Sequence, residues 1–144
     1  MNIMKPYSEF AEAIGLRESS GKYDAKNSLG FLGKYQFGLA RLTDLGLCRR
    51  KPMTVGYANS CFEFIPPHSE AEFLGSPTLQ EEMFRKHVTD LKRQVRRLES
   101  GLVAGAHLLG MGGVRALLFE GTVQEDANGT RITSYISKFS NYEL

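Results

Sequence analysis

Cysteine is scarce in this chain: Cys48 and Cys61 are the only two among 144 residues. Their spacing fits no zinc motif. A disulfide closing the intervening loop suits an oxidising compartment, two buried thiols suit the cytosol, and both readings stay open. Net charge is nearly absent as well. A formal +2 supplies no basic footprint for nucleic acid, so no nucleic-acid partner is expected. No apolar run is expected to approach the ~18 residues of a membrane helix, and the opening Met1-Asn2-Ile3-Met4-Lys5-Pro6 does not resemble a secretory signal. The expectation is a chain made in the cytoplasm, with no membrane partner and any export supplied by another agent. His68 and His87 form no metal constellation with the cysteines or acids, and no glycine-rich phosphate cradle appears. Neither metal nor cofactor is expected. Internal repeats and low-complexity tracts are missing too, which sets aside repeat architectures.

What is present reads as an ordinary globular chain. Apolar content of 42% and charged content of 24% fit that class. One domain over residues 1–144 is expected, large enough to bury roughly 70% of the surface its unfolded chain exposes. Residues 7–18 read as a helix, with Ser8 as N-cap, Phe10, Ala13 and Ile14 at helical spacing, and Gly21 as the stop. Residues 19–38 are rich in Gly, Ser, Asn and Tyr and read as turns with a short β-like ribbon. A short helix over 39–46 places Leu39, Leu42 and Leu45 on one side. Residues 47–78 carry Pro52, Pro66, Pro67 and Pro77 without a period. They read as a long excursion with short helical pieces, in which Phe62, Phe64, Ile65, Phe73 and Leu74 need burial.

From Thr78 the pattern is stronger. Leu79, Met83, His87, Leu91, Val95 and Leu98 step by three or four and mark one long amphipathic helix. Residues 102–119 form two apolar halves broken at Gly110-Met111-Gly112-Gly113, which predicts a buried helix, a tight turn and a second helix. Gly121 ends that run, Asp126-Ala127-Asn128-Gly129-Thr130 reads as a polar turn, and Thr133-Ser134-Tyr135-Ile136 begins a last short helix. The expected class is mainly α (α+β), with a small β element early in the chain.

Four pieces then stand in a telling order. A helix ends in Glu18-Ser19; Gly33-Lys34-Tyr35-Gln36-Phe37 follows; Ala106-His107-Leu108-Leu109-Gly110 comes next; Thr133-Ser134-Tyr135-Ile136 is last. Together they resemble the lysozyme-like superfamily, in particular lytic transglycosylases and phage-type muramidases. The resemblance covers about 7–46 and 78–142 and leaves out the proline-rich middle. It implies a lysozyme-like domain with a substrate cleft between the Gly-rich segment and the helical half. It also implies a peptidoglycan-degrading glycosidase that cuts the β-1,4 bond between N-acetylmuramic acid and N-acetylglucosamine. By the same resemblance Glu18 matches the catalytic acid, Gln36 the glutamine of a Gly-Leu-Met-Gln-like run in the sugar cleft, and Tyr135 a tyrosine close to that acid. His107 and Leu108 stand where relatives have Tyr and Asn, which departs from the pattern at a presumed sugar contact. Peptidoglycan glycan strands are the implied partner. The contexts compatible with it are a phage lysin, a tail-associated muramidase and an exported antibacterial effector, a toxin whose cognate immunity protein would be a further partner. Action on the cell wall, in the periplasm after release or dedicated export, is implied with them.

The residues carry their own chemical logic beside the resemblance. Cleaving a glycoside needs a proton delivered to the leaving oxygen. A helix C-terminus carries partial negative charge, which opposes ionisation of a carboxyl placed there, so Glu18 breaks a local rule in the direction an acid catalyst needs. The plain alternative is a solvated glutamate before a loop. Glu120, Glu125, Asp126 and Asp24 are the candidates for the second carboxylate of a hydrolase, although Asp126 and Asp24 both suit Asx turns. With no obvious second acid, substrate assistance by the N-acetyl group and a 1,6-anhydro product are favoured. Gln36 offers a donor and an acceptor to an acetamido group, or it bonds loop backbone. Tyr35 and Phe37 are expected in the core. Asn27 either fixes the loop beneath Glu18 or touches substrate, Tyr135 is either a tuning group or a core tyrosine, and His107 is either a core histidine or a sugar ligand. Arg85, Lys86, Lys92, Arg93, Arg96 and Arg97 give the long helix a basic face, suited to anionic wall polymers or simply solvated. A non-catalytic glycan-binding module and an assembly protein using that basic face are the competing classes.

Overall fold

The computed structural model describes residues 4–95 and 99–144. Its elements in chain order are α1 (Tyr7–Ser19), α2 (Leu39–Asp44), β1 (Cys48–Arg50), β2 (Phe62–Phe64), α3 (Glu70–Gly75), α4 (Pro77–Val95), α5 (Ser100–Glu120) and α6 (Ile132–Lys138). Among the described residues the chain is mainly helical with one small sheet, and it divides into two compact units. A central unit spans Ala13–His87, and a terminal unit combines Met1–Glu12 with Val88–Leu144. The division falls inside α1 and α4.

Helix α1 starts two residues earlier than an N-cap at Ser8 would give. The Pro6 carbonyl accepts the amides of Glu9 and Phe10 at 3.0 and 3.2 Å, so Pro6 marks the entry and Ser8 lies within the first turn. Proline suits that place because its missing N–H would have had no helical partner. The helix ends where expected: Ser20 and Gly21 both turn to positive φ, 58° and 78°. Of the stripe expected on α4, Met83, His87 and Leu91 are buried and Leu79 is half-buried, with Gln80, Phe84 and Val88 buried beside them. Of the longer helix expected to Leu98, residues 96–98 and the side chain of Val95 lie outside the described residues. Arg96 and Arg97 of the expected basic face are among them, while Arg85, Lys86 and Arg93 are exposed.

In the central unit the β structure is not where composition suggested. Within residues 19–38 the pairing is limited to isolated bridges, Lys26 with Leu32 and Leu32 with Phe37. The named ladder lies in the proline-rich middle: β1 and β2 pair antiparallel, with Cys48 opposite Phe64, Arg49 opposite Glu63 and Arg50 opposite Phe62. Strands of three residues are too short for alternation to register. Both thiols are free, and burial pushes that of Cys48 up to about 12. Leu32, Tyr35, Phe37, Leu42, Phe62, Phe73 and Phe84 form the core. Tyr35 stacks on Phe84 with ring centroids 3.8 Å apart, and Phe37 meets Phe73 and His87 edge-on. Tyr35 and Phe37 thus enter the core as expected.

The terminal unit is built on α5. Gly110 has φ 70° and ψ 174°, so two helical halves meet at a break, as the glycines predicted. A Cβ on Gly101 would meet the Ile136 carbonyl at 2.5 Å, and one on Gly105 would meet Ile132 and Ile136 at 3.1 Å. These two glycines, one turn apart, let α6 pack closely on α5. Ser100 Oγ donates to the Phe139 carbonyl and accepts the Tyr142 amide at 3.0 Å, tying the C-terminus to the start of α5. Asp126 forms the expected Asx turn by accepting the amides of Asn128 and Thr130. One expectation needs correction here. By length and composition α5 could cross a membrane, although much of it is buried within the protein and the helix is broken at Gly110. The His and Arg inside residues 102–119 interrupt the apolar run without lowering its mean hydropathy enough.

Candidate functional site

Glu18 occupies the last turn of α1 and is half-buried. Its neighbour Ser19 fixes the place. The Ser19 hydroxyl donates to the Lys34 carbonyl at 2.7 Å and accepts the Lys22 amide at 3.0 Å. The end of α1 is thereby fastened to the turn that carries Gln36. That turn is closed by Leu32 and Phe37, which exchange both backbone hydrogen bonds at 2.9 Å and leave residues 33–36 as the connecting loop. Gly33 and Gln36 both have positive φ, 79° and 55°. With Gln36 in the left-handed region, Tyr35 and Phe37 point inward while Gln36 stays half-buried. The Gln36 side-chain amide donates to the Gly33 carbonyl at 2.9 Å, so at least its NH₂ serves the turn.

Asn27 serves its loop too: its Oδ1 accepts the amides of Leu29 and Phe31, both at 2.9 Å. This is the loop-fixing role, and Asn27 is exposed. His107 and Tyr135 belong to the terminal unit. His107 is half-buried on α5; Tyr135 is 2% exposed, with its ring tilted on Phe139 at 4.8 Å. Tyr135 is a core residue of that unit.

A second group of residues, not singled out by the sequence, holds the Gln36 turn from beneath. Lys34 is buried, yet it carries an ammonium. Its Nζ lies 3.0 Å from Glu81 Oε2 and 3.4 Å from the Tyr23 hydroxyl. It also sits over the Tyr23 and Tyr35 rings at 5.0 and 5.3 Å. The Glu81 carboxylate takes two further donors, Tyr35 OH at 2.6 Å and Tyr23 OH at 2.7 Å. Burial pushes the Glu81 carboxyl up, but hydrogen bonds from Tyr35, Tyr23 and Lys34, with the Lys34 charge, outweigh it and hold the group below its ordinary value. Burial, and after it the hydrogen bond to Glu81, raise Tyr23.

The adjacent residue on α4 completes the clamp. Gln80 is buried; its Oε1 accepts the Lys34 amide at 2.8 Å and its Nε2 donates to the carbonyls of Tyr23 and Phe73. Lys34 is thus gripped at its amide by Gln80, at its ammonium by Glu81 and at its carbonyl by Ser19. Two glycines make room. A Cβ on Gly15 would meet Lys34 Cε at 2.5 Å, and one on Gly33 would collide with Gln80 Oε1. Nearby, Arg41 Nε donates to Nδ1 of buried His87 at 2.9 Å, which requires a lone pair on Nδ1 and places the ring proton on Nε2.

The acids considered as second carboxylates fall in both units. Asp24 is in the central unit with Glu18 and is exposed; Glu120, Glu125 and Asp126 are in the terminal unit, and Asp126 is committed to its Asx turn. Among the described residues no three His, Cys, Asp or Glu side chains gather to hold a metal ion. No family model matches this chain, and neither the curated proteins nor the solved structures contain a match to it.

Proposed function

We propose that this protein is a glycosidase that cleaves the β-1,4 bond between N-acetylmuramic acid and N-acetylglucosamine in peptidoglycan, acting as a lytic transglycosylase with Glu18 as its one catalytic carboxyl. The observation that carries the reading is the fastening of two elements the chemistry needs together. A half-buried carboxyl ends α1, and the very next residue bonds the turn that presents Gln36. Glu18, the proposed proton donor, and Gln36, an amide suited to an acetamido group, thus lie on two elements joined by that hydrogen bond.

The reaction follows from one carboxyl. Glu18 gives its proton to the glycosidic oxygen as the bond from C1 of the muramic sugar breaks. The carbonyl oxygen of that sugar's own N-acetyl group bonds to C1 and takes up the developing positive charge. The same sugar's 6-hydroxyl then attacks C1, the acetamido oxygen leaves, and the hydroxyl proton passes to the Glu18 carboxylate. The products are a 1,6-anhydro sugar end and a free 4-hydroxyl on N-acetylglucosamine, and Glu18 is again protonated. Gln36 Oε1 is suited to accept from the acetamido N–H while its Nε2 stays on Gly33. Tyr135 and His107 rest on the resemblance alone, as do the phage or effector setting and an immunity partner.

Substitution Glu18→Gln removes the proton and keeps the shape. It is expected to reduce solubilisation of purified sacculi by about 10²–10⁴-fold, the range of a general acid, with an unchanged thermal unfolding midpoint. Equal solubilisation by wild type and variant would remove Glu18 from the mechanism. No solubilisation by wild type on sacculi of either Gram type would leave a glycan-binding module as the better reading.

A further inference from the structure

The loop between β1 and β2 has its polarity reversed. Across residues 51–58 the apolar side chains face solvent: Met53 is 103% exposed, Val55 93% and Tyr57 83%. The Thr54 hydroxyl faces inward, while Lys51 is exposed. Thr54 Oγ1 lies 2.7 Å from the Lys51 carbonyl and 3.2 Å from that of Cys61, Cys61 Sγ lies 3.3 Å from the Val55 carbonyl, and Arg50 donates to the Thr54 carbonyl at 3.3 Å. Alternation along the loop thus turns residues 53, 55 and 57 out and 54 in. The arrangement is held, not loose. Met53 adopts φ 61°, a left-handed conformation that a bulky side chain takes only under constraint.

Charge sharpens the picture. No acid occurs between Asp44 and Glu63, while Arg49, Arg50 and Lys51 stand together at the base of the loop. Glu63 pairs with Arg49 at 3.6 Å, leaving the other two cations without a carboxylate on the hairpin. Arg50 lies over the Phe62 ring at 4.7 Å and the Tyr57 ring at 5.9 Å, so one cation is bound to the apolar tip itself.

We propose that this loop is a docking tip for the surface of an anionic lipid bilayer. Met53, Val55 and Tyr57 enter the boundary between headgroups and acyl chains, and Arg50 and Lys51 meet the headgroup phosphates. A side chain exposed beyond 90% stands on a convex tip, and a fluid bilayer accommodates a convex apolar tip without a preformed pocket. The amphipathic ring of Tyr57 beside a guanidinium is the chemistry of a membrane interface. Attachment of this kind needs no spanning segment, and it departs from the expectation that the protein has no membrane partner. It is independent of the glycosidase reading.

The test is sedimentation of the full chain with vesicles of phosphatidylcholine alone and of phosphatidylcholine with one-third phosphatidylglycerol. The wild type is expected to partition onto the anionic vesicles, weakly onto the neutral ones, and less as salt is raised. The variant Met53→Ser, Val55→Ser, Tyr57→Ser is expected to lose about tenfold or more of that partition, as fits removal of three inserted side chains. Lys51→Glu, which leaves the apolar side chains in place, should weaken the anionic binding alone. Because all four positions are exposed, both variants should keep the wild-type unfolding midpoint. Failure of the wild type to bind anionic vesicles would overturn the proposal and favour a concave acidic protein partner for the tip. Undiminished binding by the triple variant would overturn it as well, by assigning the membrane contact to another surface.

Discussion

Two loops of the central unit break the usual rule of polarity in opposite directions. The 33–36 turn takes a lysine ammonium inside; the 51–58 loop puts Met, Val and Tyr outside. The first departure is compensated within the chain. Lys34 has a carboxylate, a hydroxyl and two aromatic faces, and Gln80 takes its amide. A buried charge so furnished is a structural device: it rigidifies the turn that carries Gln36 and the helix end that carries Glu18. The second departure has nothing of the kind. Thr54 is satisfied internally while Met53, Val55 and Tyr57 face water, and that exposure is the basis of the proposed membrane contact. The satisfied exception accounts for a fixed turn, and the unsatisfied one underlies the proposed docking tip.

The comparison can be broken first at Glu81. In Glu81→Ala the Lys34 ammonium stays buried without its counter-charge. Because the Glu81 side chain is 38% exposed, water can reach part of the gap, and the loss is expected near the low end for a broken buried pair, about 2–3 kcal/mol by denaturant unfolding. Adding Lys34→Met should recover much of it, since an uncharged side chain of similar length has no ion to strand. If Glu81→Ala unfolds like the wild type, the clamp is not a structural device.

A second test sharpens the same claim through pH. The folded Glu81 carboxyl titrates below its ordinary 4.5. A lowered acid contributes stability that is in place above 4.5 and is lost as pH falls through the folded value. Wild-type stability should therefore decline below about pH 4.5 more steeply than that of Glu81→Gln, measured by unfolding midpoints across that range. Parallel curves would show that the carboxylate is not held by the folded state.

The smallest expected effect lies at the tip. Serine at positions 53, 55 and 57 should leave stability within about 0.5 kcal/mol of wild type, because these side chains bury little in the protein alone. A loss well above that would mean they pack against the fold and that the contrast between the two loops is false.

Much of the fold was legible locally. Met83, His87 and Leu91 marked α4, the glycines at 110–113 marked the break in α5, and Asp126 marked its own turn, because each signal lies within one turn of helix or one loop. The sheet was not legible, since three-residue strands flanked by Pro52 and Pro66 show no alternation. The helix start moved from Ser8 to Pro6 because a carbonyl, not a hydroxyl, accepts the first amides. Of the candidate site, Glu18 and Gln36 were proposed from their motifs. Lys34 and Glu81 were not: 47 residues separate them, and a lysine in a Gly-rich loop and a glutamate on an amphipathic helix both read as surface. The one local hint was glycine at 15 and 33, where close approach by Lys34 and Gln80 leaves no room for a Cβ.

The central claim is that Glu18 drives glycosidic cleavage without water as the nucleophile. Digestion of purified sacculi in ¹⁸O-labelled water, with fragments weighed by mass spectrometry, tests it most directly. The account predicts 1,6-anhydro-muramyl ends that carry no ¹⁸O and that are lost in Glu18→Gln. Reducing ends carrying ¹⁸O, or the same anhydro fragments from the variant, would contradict it.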